Sequence, residues 1–202
     1  MTHMSATASK GPSLKDVIAR FGGEETLRKK PPVHLWNPPF CGQIDMRIAR
    51  NGSWHYMGSP IPRPAMVKLF ASILRREPDD SYVLVTPVEK CGIRVDDAPF
   101  VAVEATVANE TGQAEGAARL IAFRTNVDDV VPLDAEHPLR ISVNPVTGEP
   151  SPYVLVRDRL EALLARPVYY QLVEMAEERN IDGKAMLGVE SAGQFFVLGE
   201  MP

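Results

Sequence analysis

The sequence of 202 residues predicts an α+β fold in which duplicated hairpin–helix–strand units form two small domains. Strand-like segments outnumber helical ones, which favours largely antiparallel sheets. Turn signals at Asn51-Gly52 and at Thr147-Gly148 are each followed by an apolar run with helical spacing. Arg63 and Arg157 precede these runs and lie 157 − 63 = 94 positions apart. We therefore predict an internal duplication with a cleft between its halves. The alternative is a chance match, because hairpins followed by helices are common.

The N-terminal arm, residues 1–35, is predicted to contain short helices. Ser13 is a suitable N-cap for a first helix that ends at Gly22-Gly23, and a second helical turn ends at Pro31-Pro32. The arm is too short to fold alone. The first repeat domain is predicted to span residues 36–104, and the second to span residues 105–202.

In the first domain, the clearest local signal is a hairpin. Apolar residues alternate along Gln43–Arg50, and Asn51-Gly52 is a typical two-residue hairpin turn. Pro64 stands in the predicted first turn of a helix, where proline is favoured, and Met66–Arg76 continues the helical spacing. Further strands are predicted at Tyr82–Pro87, Gly92–Val95, Phe100–Asn109 and Ala118–Thr125.

The second domain is predicted to repeat this order of elements. Strands at Leu139–Asn144 and Tyr153–Val156 lead into a helix that begins at Arg157. Arg166-Pro167 either kinks this helix or divides it into two, since proline has no N–H to donate to a helical hydrogen bond. Helical spacing continues over Val168–Arg179. The apolar face of the first helical part is Leu160, Leu163 and Leu164. Closing strands are predicted at Met186–Val189 and Phe195–Leu198.

Composition excludes several classes of protein. With 45% hydrophobic residues the chain can bury a core, and its formal net charge of −4 argues against nucleic-acid binding and against docking on anionic membranes. Cys41 and Cys91 lack the spacing of a disulfide framework or a zinc site. No stretch approaches the roughly 20 apolar residues of a membrane span. We therefore expect a cytoplasmic protein with reduced thiols.

Six short segments form a combination that indicates a family. They are Trp54-His55-Tyr56, Gly58–Arg63, Val85–Lys90, Val95–Phe100, Phe123–Val127 and Asp134–Arg140. Together they resemble the bacterial domain-of-unknown-function family 1285, over most of the chain from about Trp36 onward. The resemblance implies a duplicated two-domain α+β fold whose C-terminal half is superficially similar to a pleckstrin-homology domain. It also implies a site for a nucleotide-like ligand between the halves and a role in signal transduction.

The aromatic residues of the first hairpin are candidate ligand contacts. Trp54 and Tyr56 share one face of a strand, and His55 takes the other face. Two rings on one face could stack on a purine, whereas core packing is the alternative. His55 could act as a general base, and the alternative is a structural histidine.

Basic and amide side chains give the candidate anion contacts. Arg63 lies at a predicted helix start, where unpaired N–H groups favour anions. Arg124 and Asn126 end a strand and could contact a phosphate or a base edge, and an Asx-type turn is the alternative. Glu89 and Lys90 follow another strand and are expected to point to opposite faces, so that one of them could face the cleft. The alternative is an ordinary turn with charged surface side chains.

Motifs of catalysis are absent from the sequence. Asp128 and Asp129 could bind Mg²⁺, but a turn is the favoured alternative, and we predict neither a metal nor a cofactor. There is no nucleophile elbow, phosphate loop or paired metal-ligand motif. We predict a non-catalytic protein that binds a small anionic, nucleotide-like molecule and reports to a signalling partner. The predicted ligand contacts are Trp54, His55, Arg63, Glu89, Lys90, Arg124 and Asn126. The alternatives are a protein–protein interaction module without a small ligand, or a hydrolase or transferase that uses Glu89, His55 or Asp128.

Overall fold

The predicted α+β class is confirmed. The computed structural model describes residues 31–109 and 119–201, and in these ranges sheets dominate and two nine-residue helices accompany them. The helices predicted between residues 13 and 30 lie outside the described residues. The described part of the N-terminal arm contains a 3-10 turn at Val33–Leu35. Within the described ranges, no helix is long and apolar enough to cross a membrane.

The first domain is one six-stranded sheet with a helix. Its elements are β1 (Phe40–Ile48), β2 (Trp54–Tyr56), β3 (Ser59–Pro60), α1 (Pro64–Ser72), β4 (Leu74–Arg76), β5 (Tyr82–Val85) and β6 (Lys90–Val95). The strand order is β3-β2-β1-β6-β5-β4, so two antiparallel three-stranded meanders meet at the parallel pair β1 and β6. The predicted turn connects β1 to β2, but it is longer than two residues: the Ala49 N–H donates a hydrogen bond of 2.9 Å to the Ser53 carbonyl and closes a loop in which Gly52, not Asn51, takes a positive φ, of +81°.

The second domain contains two sheets and the second helix. Its elements are β7 (Phe100–Asn109), β8 (Arg119–Thr125), β9 (Val130–Pro132), β10 (Leu139–Val143), β11 (Pro150–Arg157), β12 (Leu160–Leu164), α2 (Arg166–Glu174), β13 (Glu177–Ile181), β14 (Lys184–Ser191) and β15 (Gln194–Glu200). One sheet has the order β10-β11-β12-β7-β8-β9, and the other has the order β13-β14-β15. The sequence placed the domain boundary between residues 104 and 105, which lie inside β7, whereas the break between the sheets lies in the turn before Phe100.

The duplication is present, but its register differs from the predicted one. A three-stranded meander, a nine-residue helix and a second three-stranded meander follow one another as β1 to β6 around α1, and again as β10 to β15 around α2. Both helices begin with an Arg-Pro pair, Arg63-Pro64 and Arg166-Pro167, which are 166 − 63 = 103 positions apart. In each copy the first strand also lies next to the last one: β1 pairs with β6, and β10 contacts β15. The counterpart of Arg63 is therefore Arg166, and the predicted match with Arg157 is wrong.

The helix predicted to begin at Arg157 is a strand. Leu160, Ala162 and Leu164 are buried and alternate with the half-buried Glu161 and Leu163, which is the period of β12. Leucines three and four positions apart also satisfy a helical pattern, so the local sequence is ambiguous. Pairing with β11 on one side and β7 on the other decides the outcome.

A single hydrophobic cluster fills the interior of both domains. From the first domain it includes Trp54, whose ring stacks on Phe70 with centroids 6.2 Å apart. From the second it includes Phe100, Phe123 and Leu160, each fully buried. Where the two domains meet, polar groups are therefore found at the rim of the interface and not in its centre.

Candidate functional site

Arg157 holds the second domain against the end of α1. Its guanidinium donates a hydrogen bond of 2.7 Å to the carbonyl of Ala71, in the last turn of the helix, where cations are favoured. It also forms an ion pair with Asp129 and lies 4.8 Å from the centre of the Phe100 ring. Both charged side chains are largely buried, with 18% and 12% of their surface exposed. Arg157 is therefore an inter-domain clamp rather than a residue at a helix start.

Asn126 is a second inter-domain clamp. Its Oδ1 accepts a hydrogen bond of 3.0 Å from the Val101 N–H, and its Nδ2 donates one of 3.1 Å to the carbonyl of Gly52. A Cβ at Gly52 would lie 2.6 Å from Asn126 Nδ2, so glycine permits this close approach as well as the turn. The amide group of Asn126 thus joins the first hairpin to the start of β7.

Lys90 belongs to an ion network that fastens the described start of the chain. It lies 3.1 Å from Glu77, and Arg75 lies 2.6 Å from the other oxygen of the same carboxylate. Arg75 also donates hydrogen bonds to the carbonyls of Val33 and Trp36. Burial alone would raise the pKa of Glu77, but the hydrogen bonds from Arg75 and Lys90 outweigh it and hold that pKa below its ordinary value.

Arg124 lies on an exposed surface next to α1. It contacts Glu104 at 2.7 Å and Asp128 at 3.1 Å, and Asp128 also pairs with Lys68 of the first domain. Hydrogen bonds from Lys68 and Arg124 lower the pKa of Asp128. These side chains are about half exposed, so the pairs contribute little to stability.

The four remaining predicted contacts are also separated. Trp54 is 2% exposed in the core, and the half-buried His55 lies with Nε2 3.0 Å from Ser53 Oγ. Arg63 is exposed at the N-cap of α1. Glu89 is half-buried in the turn before β6. The structure therefore does not bring the seven predicted residues together, because most of them are already engaged in the core or in clamps between segments.

An inter-domain cavity of about 670 Å³ lies elsewhere on the rim of the interface. We call it the rim cavity, and it lies between the first hairpin, the strand ends of β11 and β12, and the start of α2. Its lining residues are Arg50, Asn51, Val101, Glu149, Pro150, Ser151, Pro152, Leu163, Leu164, Ala165, Arg166, Tyr169 and Tyr170. None of the seven predicted contacts is among them.

The first domain supplies Arg50 to the rim cavity. Its guanidinium donates a hydrogen bond of 3.0 Å to Ser151 Oγ across the interface, and its Nε lies 3.3 Å from Asp97 Oδ2. Asp97 also accepts a hydrogen bond of 2.8 Å from the Tyr153 hydroxyl. Burial and this bond to Asp97 raise the pKa of Tyr153, so its hydroxyl stays protonated as the donor. A carboxylate at the domain junction thus orients the arginine of the first hairpin.

The second domain supplies Arg166 and two tyrosines. Arg166 occupies the first turn of α2 and pairs with Glu149 at the mouth of the rim cavity, where 78% and 56% of these side chains are exposed. Tyr169 and Tyr170 follow on the same helix, with ring centroids 6.5 Å apart and tilted by 38°. Burial raises the pKa of Tyr169. The rim cavity is thus lined by two guanidinium groups from different domains, two aromatic rings and a serine hydroxyl.

A second, more open groove of about 450 Å³ also contains arginines, but their charge is balanced. Arg140 lies 2.8 Å from Glu161, and both Arg76 and Arg159 pair with Asp80, at 3.2 Å and 2.6 Å. In both sites an incoming anion competes with carboxylates, since Arg50 pairs with Asp97 and Arg166 pairs with Glu149 in the rim cavity. The rim cavity is the better candidate site because it is larger and because two tyrosines line it. In residues 31–109 and 119–201, no cluster of three or more His, Cys, Asp or Glu side chains is placed to hold a metal ion.

Sequence reasoning missed Arg50 and Arg166 because their meeting depends on the interface. One local signal was available for Arg166: an Arg-Pro pair opens both helices. Comparing these pairs would have given the register of 103 instead of 94. No comparable signal marks Arg50, since the residue before a hairpin turn is ordinarily a solvent-exposed position.

Comparison with known proteins accounts for nearly all of the described chain. Residues 31–98 match the model of the N-terminal domain, and residues 99–198 the model of the C-terminal domain, of a protein of unknown function (DUF1285). A DUF1285 family protein from Silicibacter pomeroyi DSS-3 has a crystal structure with 52% identity and a TM-score of 0.76, over 86% of this chain and 90% of that one. A DUF1285 family protein from Shewanella baltica OS155 has 30% identity and a TM-score of 0.47, over 64% of this chain and 90% of that one. No curated protein matches the chain. The chain therefore belongs to the DUF1285 family.

Proposed function

We propose that this protein binds a small anionic molecule in the rim cavity and reports its presence to a partner in signal transduction. The observation that carries the proposal is the placement of Arg50 and Arg166, from different domains, on one cavity. A volume of about 670 Å³ lies within the range of small-molecule sites. One guanidinium group can bind two oxygens of a carboxylate or phosphate through two parallel hydrogen bonds. Two guanidinium groups therefore favour a ligand with more than one anionic oxygen.

The tyrosines narrow the class of ligand. Tyr169 and Tyr170 offer ring faces beside the two arginines, and aromatic rings stack on planar groups. Both a flat ring and an anionic group occur in nucleotides, which supports the nucleotide-like ligand expected from the sequence. The helix start at Arg166 adds a favourable partial charge for an anion.

Contact with both domains gives such a ligand a way to signal. A molecule held between Arg50 and Arg166 contacts the first hairpin and the start of α2 while the shared core stays closed, so it favours one arrangement of these two surface segments. A partner that recognises that arrangement would then sense the ligand. We place this role in the cytoplasm.

A thermal-shift and calorimetry screen against nucleotides and inorganic phosphate tests the proposal. A ligand at 100 times its dissociation constant stabilises the fold by about 2.7 kcal/mol, which raises the melting temperature. Replacing Arg50 or Arg166 by Ala should weaken binding about tenfold to a hundredfold, since each charge-assisted hydrogen bond contributes roughly 1.5–3 kcal/mol. Glu149→Gln should bind at least as tightly, because it frees Arg166 from its carboxylate.

Arg63 provides a matched control. It occupies the equivalent helix start in the first domain and does not line the rim cavity. Arg63→Ala should leave the affinity unchanged. If Arg63→Ala weakens binding while Arg166→Ala does not, the ligand binds at the helix start predicted from the sequence and the rim cavity is excluded.

Docking of a protein partner without a small ligand is the second candidate function. It is favoured by large apolar side chains that are exposed beside the rim cavity. Val143 (59% exposed) and Val146 (90%) lie in the hairpin of β10 and β11, and Tyr170 (60%) lies on α2. The absence of a shift with every ligand of the screen would favour it. A hydrolase or transferase finds no support in the rim cavity, since Glu89, His55 and Asp128 do not line it.

A further inference from the structure

The two cysteines of the sequence, Cys41 and Cys91, lie on neighbouring strands. Cys41 is the second residue of β1, and Cys91 is the second residue of β6. These strands form the parallel pair that joins the two meanders of the first domain. Neither cysteine forms a disulfide in the structure, and the Cys41 thiol donates a hydrogen bond to the Pro39 carbonyl, with Sγ 3.7 Å from the oxygen. Fifty positions separate them in the chain (91 − 41 = 50), so the fold brings them together.

The strand register places the cysteines opposite each other. Phe40 pairs with Lys90, and the next paired positions are Gln43 with Gly92. Two residues of β1, Cys41 and Gly42, therefore stand opposite the single residue Cys91, which is a β-bulge. Gly42 takes a φ of +97° at this bulge. Neighbouring strands lie about 4.8 Å apart, inside the Cα separation of roughly 4.4–6.8 Å that a disulfide spans.

The two side chains also share a face of the sheet. Opposed residues of parallel strands point the same way, and Phe40 with Lys90 forms such a pair. Cys41 and Cys91 each follow that pair by one residue and thus take the opposite face. The Gln43 side chain supports this assignment: it covers Gly92, the neighbour of Cys91, so closely that a Cβ there would lie 2.3 Å from Gln43 Nε2.

We propose that Cys41 and Cys91 are a thiol modification site that closes to a reversible intramolecular disulfide. Cys41 is exposed and Cys91 is half-buried, so Cys41 is the first to react with a low-molecular-weight disulfide such as glutathione disulfide. The Cys41 thiolate attacks one glutathione sulfur and expels the other as a thiolate, which takes up a proton. The Cys91 thiolate then attacks Cys41 Sγ in the mixed disulfide and releases the second glutathione. Two cysteines are oxidised, and one glutathione disulfide is reduced to two thiols.

Closure would fasten the starting end of the ladder between β1 and β6. The other end of β1 leads to Arg50, and the end of β6 leads to Asp97, which contacts Arg50. The disulfide adds a covalent link to the hydrogen-bonded seam of the first domain and restricts the unfolded chain by a 50-residue loop (91 − 41 = 50). An exposed disulfide is also readily reduced, so the link is reversible.

Peptide mass spectrometry of the full chain tests the proposal. After equilibration with glutathione disulfide, most of the protein should lose two thiol hydrogens without becoming heavier, and a proteolytic peptide should link Cys41 to Cys91. The melting temperature should rise by about 5 °C or more and return when dithiothreitol is added. Stable glutathione adducts on wild-type Cys41, or dimers linked through Cys41, would overturn the proposal, and so would unreacted thiols.

Single-cysteine variants are the matched controls. Cys91→Ser keeps the accessible thiol and should accumulate the glutathione adduct at Cys41, with no rise in melting temperature. Cys41→Ser should react more slowly than wild type, because the half-buried Cys91 is then the only thiol. Equal reaction rates for Cys41→Ser and Cys91→Ser would contradict the order of steps. The wild-type peptide map decides the pairing even if a variant folds poorly.

Discussion

Replacing Asn126 by Ala removes a clamp between the domains, and its cost follows from two hydrogen bonds. The Val101 N–H and the Gly52 carbonyl each lose their bond to the Asn126 amide. A typical hydrogen bond contributes about 1 kcal/mol, and leaving a buried partner unsatisfied costs about 1–3 kcal/mol. Because this site is only partly buried, we expect a loss of about 2–3 kcal/mol in the free energy of unfolding. For a chain of this length that lowers the melting temperature by about 4–12 °C.

Urea unfolding and thermal melts measure this loss, with Asn144→Ala as the control. Asn144 also makes two side-chain hydrogen bonds to backbone N–H groups, but to Val146 and Thr147 in its own exposed turn. Its replacement should cost no more than about 1 kcal/mol, since water can replace both bonds. If the Asn126 and Asn144 variants lose equal stability, the clamp between the domains contributes nothing beyond a local turn and the reasoning is refuted.

Two further predictions concern the clamps. Arg157→Met should lower the free energy of unfolding by about 2–4 kcal/mol, because it breaks a largely buried ion pair and removes the hydrogen bond to the last turn of α1. Arg157→Lys should recover only part of this stability. If the Lys variant is as stable as wild type, simultaneous contact of the guanidinium with Asp129 and Ala71 is excluded as the cause. The pKa of Glu77 is lowered by folding, so its contribution is complete above the unfolded pKa and is lost as pH falls below about 4.3. Thermal melts between pH 6 and 3 should therefore fall less steeply for Glu77→Gln than for wild type, and parallel curves would contradict this.

Local signals predicted the elements whose structure is decided locally. Three elements contain the residues that favour their structure: the turn at Asn51-Gly52, the strand that begins at Tyr82 and the helix α1, which begins with proline. The predicted helix Met66–Arg76 nevertheless runs too far, because Leu74–Arg76 leaves the helix and pairs with β5. A strand partner that lies several residues away outweighs the helical spacing.

The candidate site could not be predicted because its residues meet only through the duplication and the interface. Arg50 and Arg166 are 166 − 50 = 116 positions apart, and neither belongs to a motif. Asn126 shows the opposite error: a polar side chain after a buried strand suggested ligand contact, but its amide oxygen bonds to Val101 and its amide nitrogen bonds to Gly52. Polar groups at strand ends serve ligands and clamps alike, and only their partners distinguish the two.

The continuous hydrophobic cluster means that the two domains are not separate units of folding. Phe70 and Phe100 belong to one interior, although the family models divide the chain between residues 98 and 99. A copy that arose by duplication ordinarily retains a closed core of its own, but here each copy supplies part of the wall for the other. Evolution of the pair is therefore constrained jointly: a larger side chain on one side of the interior needs a smaller one on the other. The boundary between the domains therefore divides the sequence, but it does not divide the hydrophobic interior.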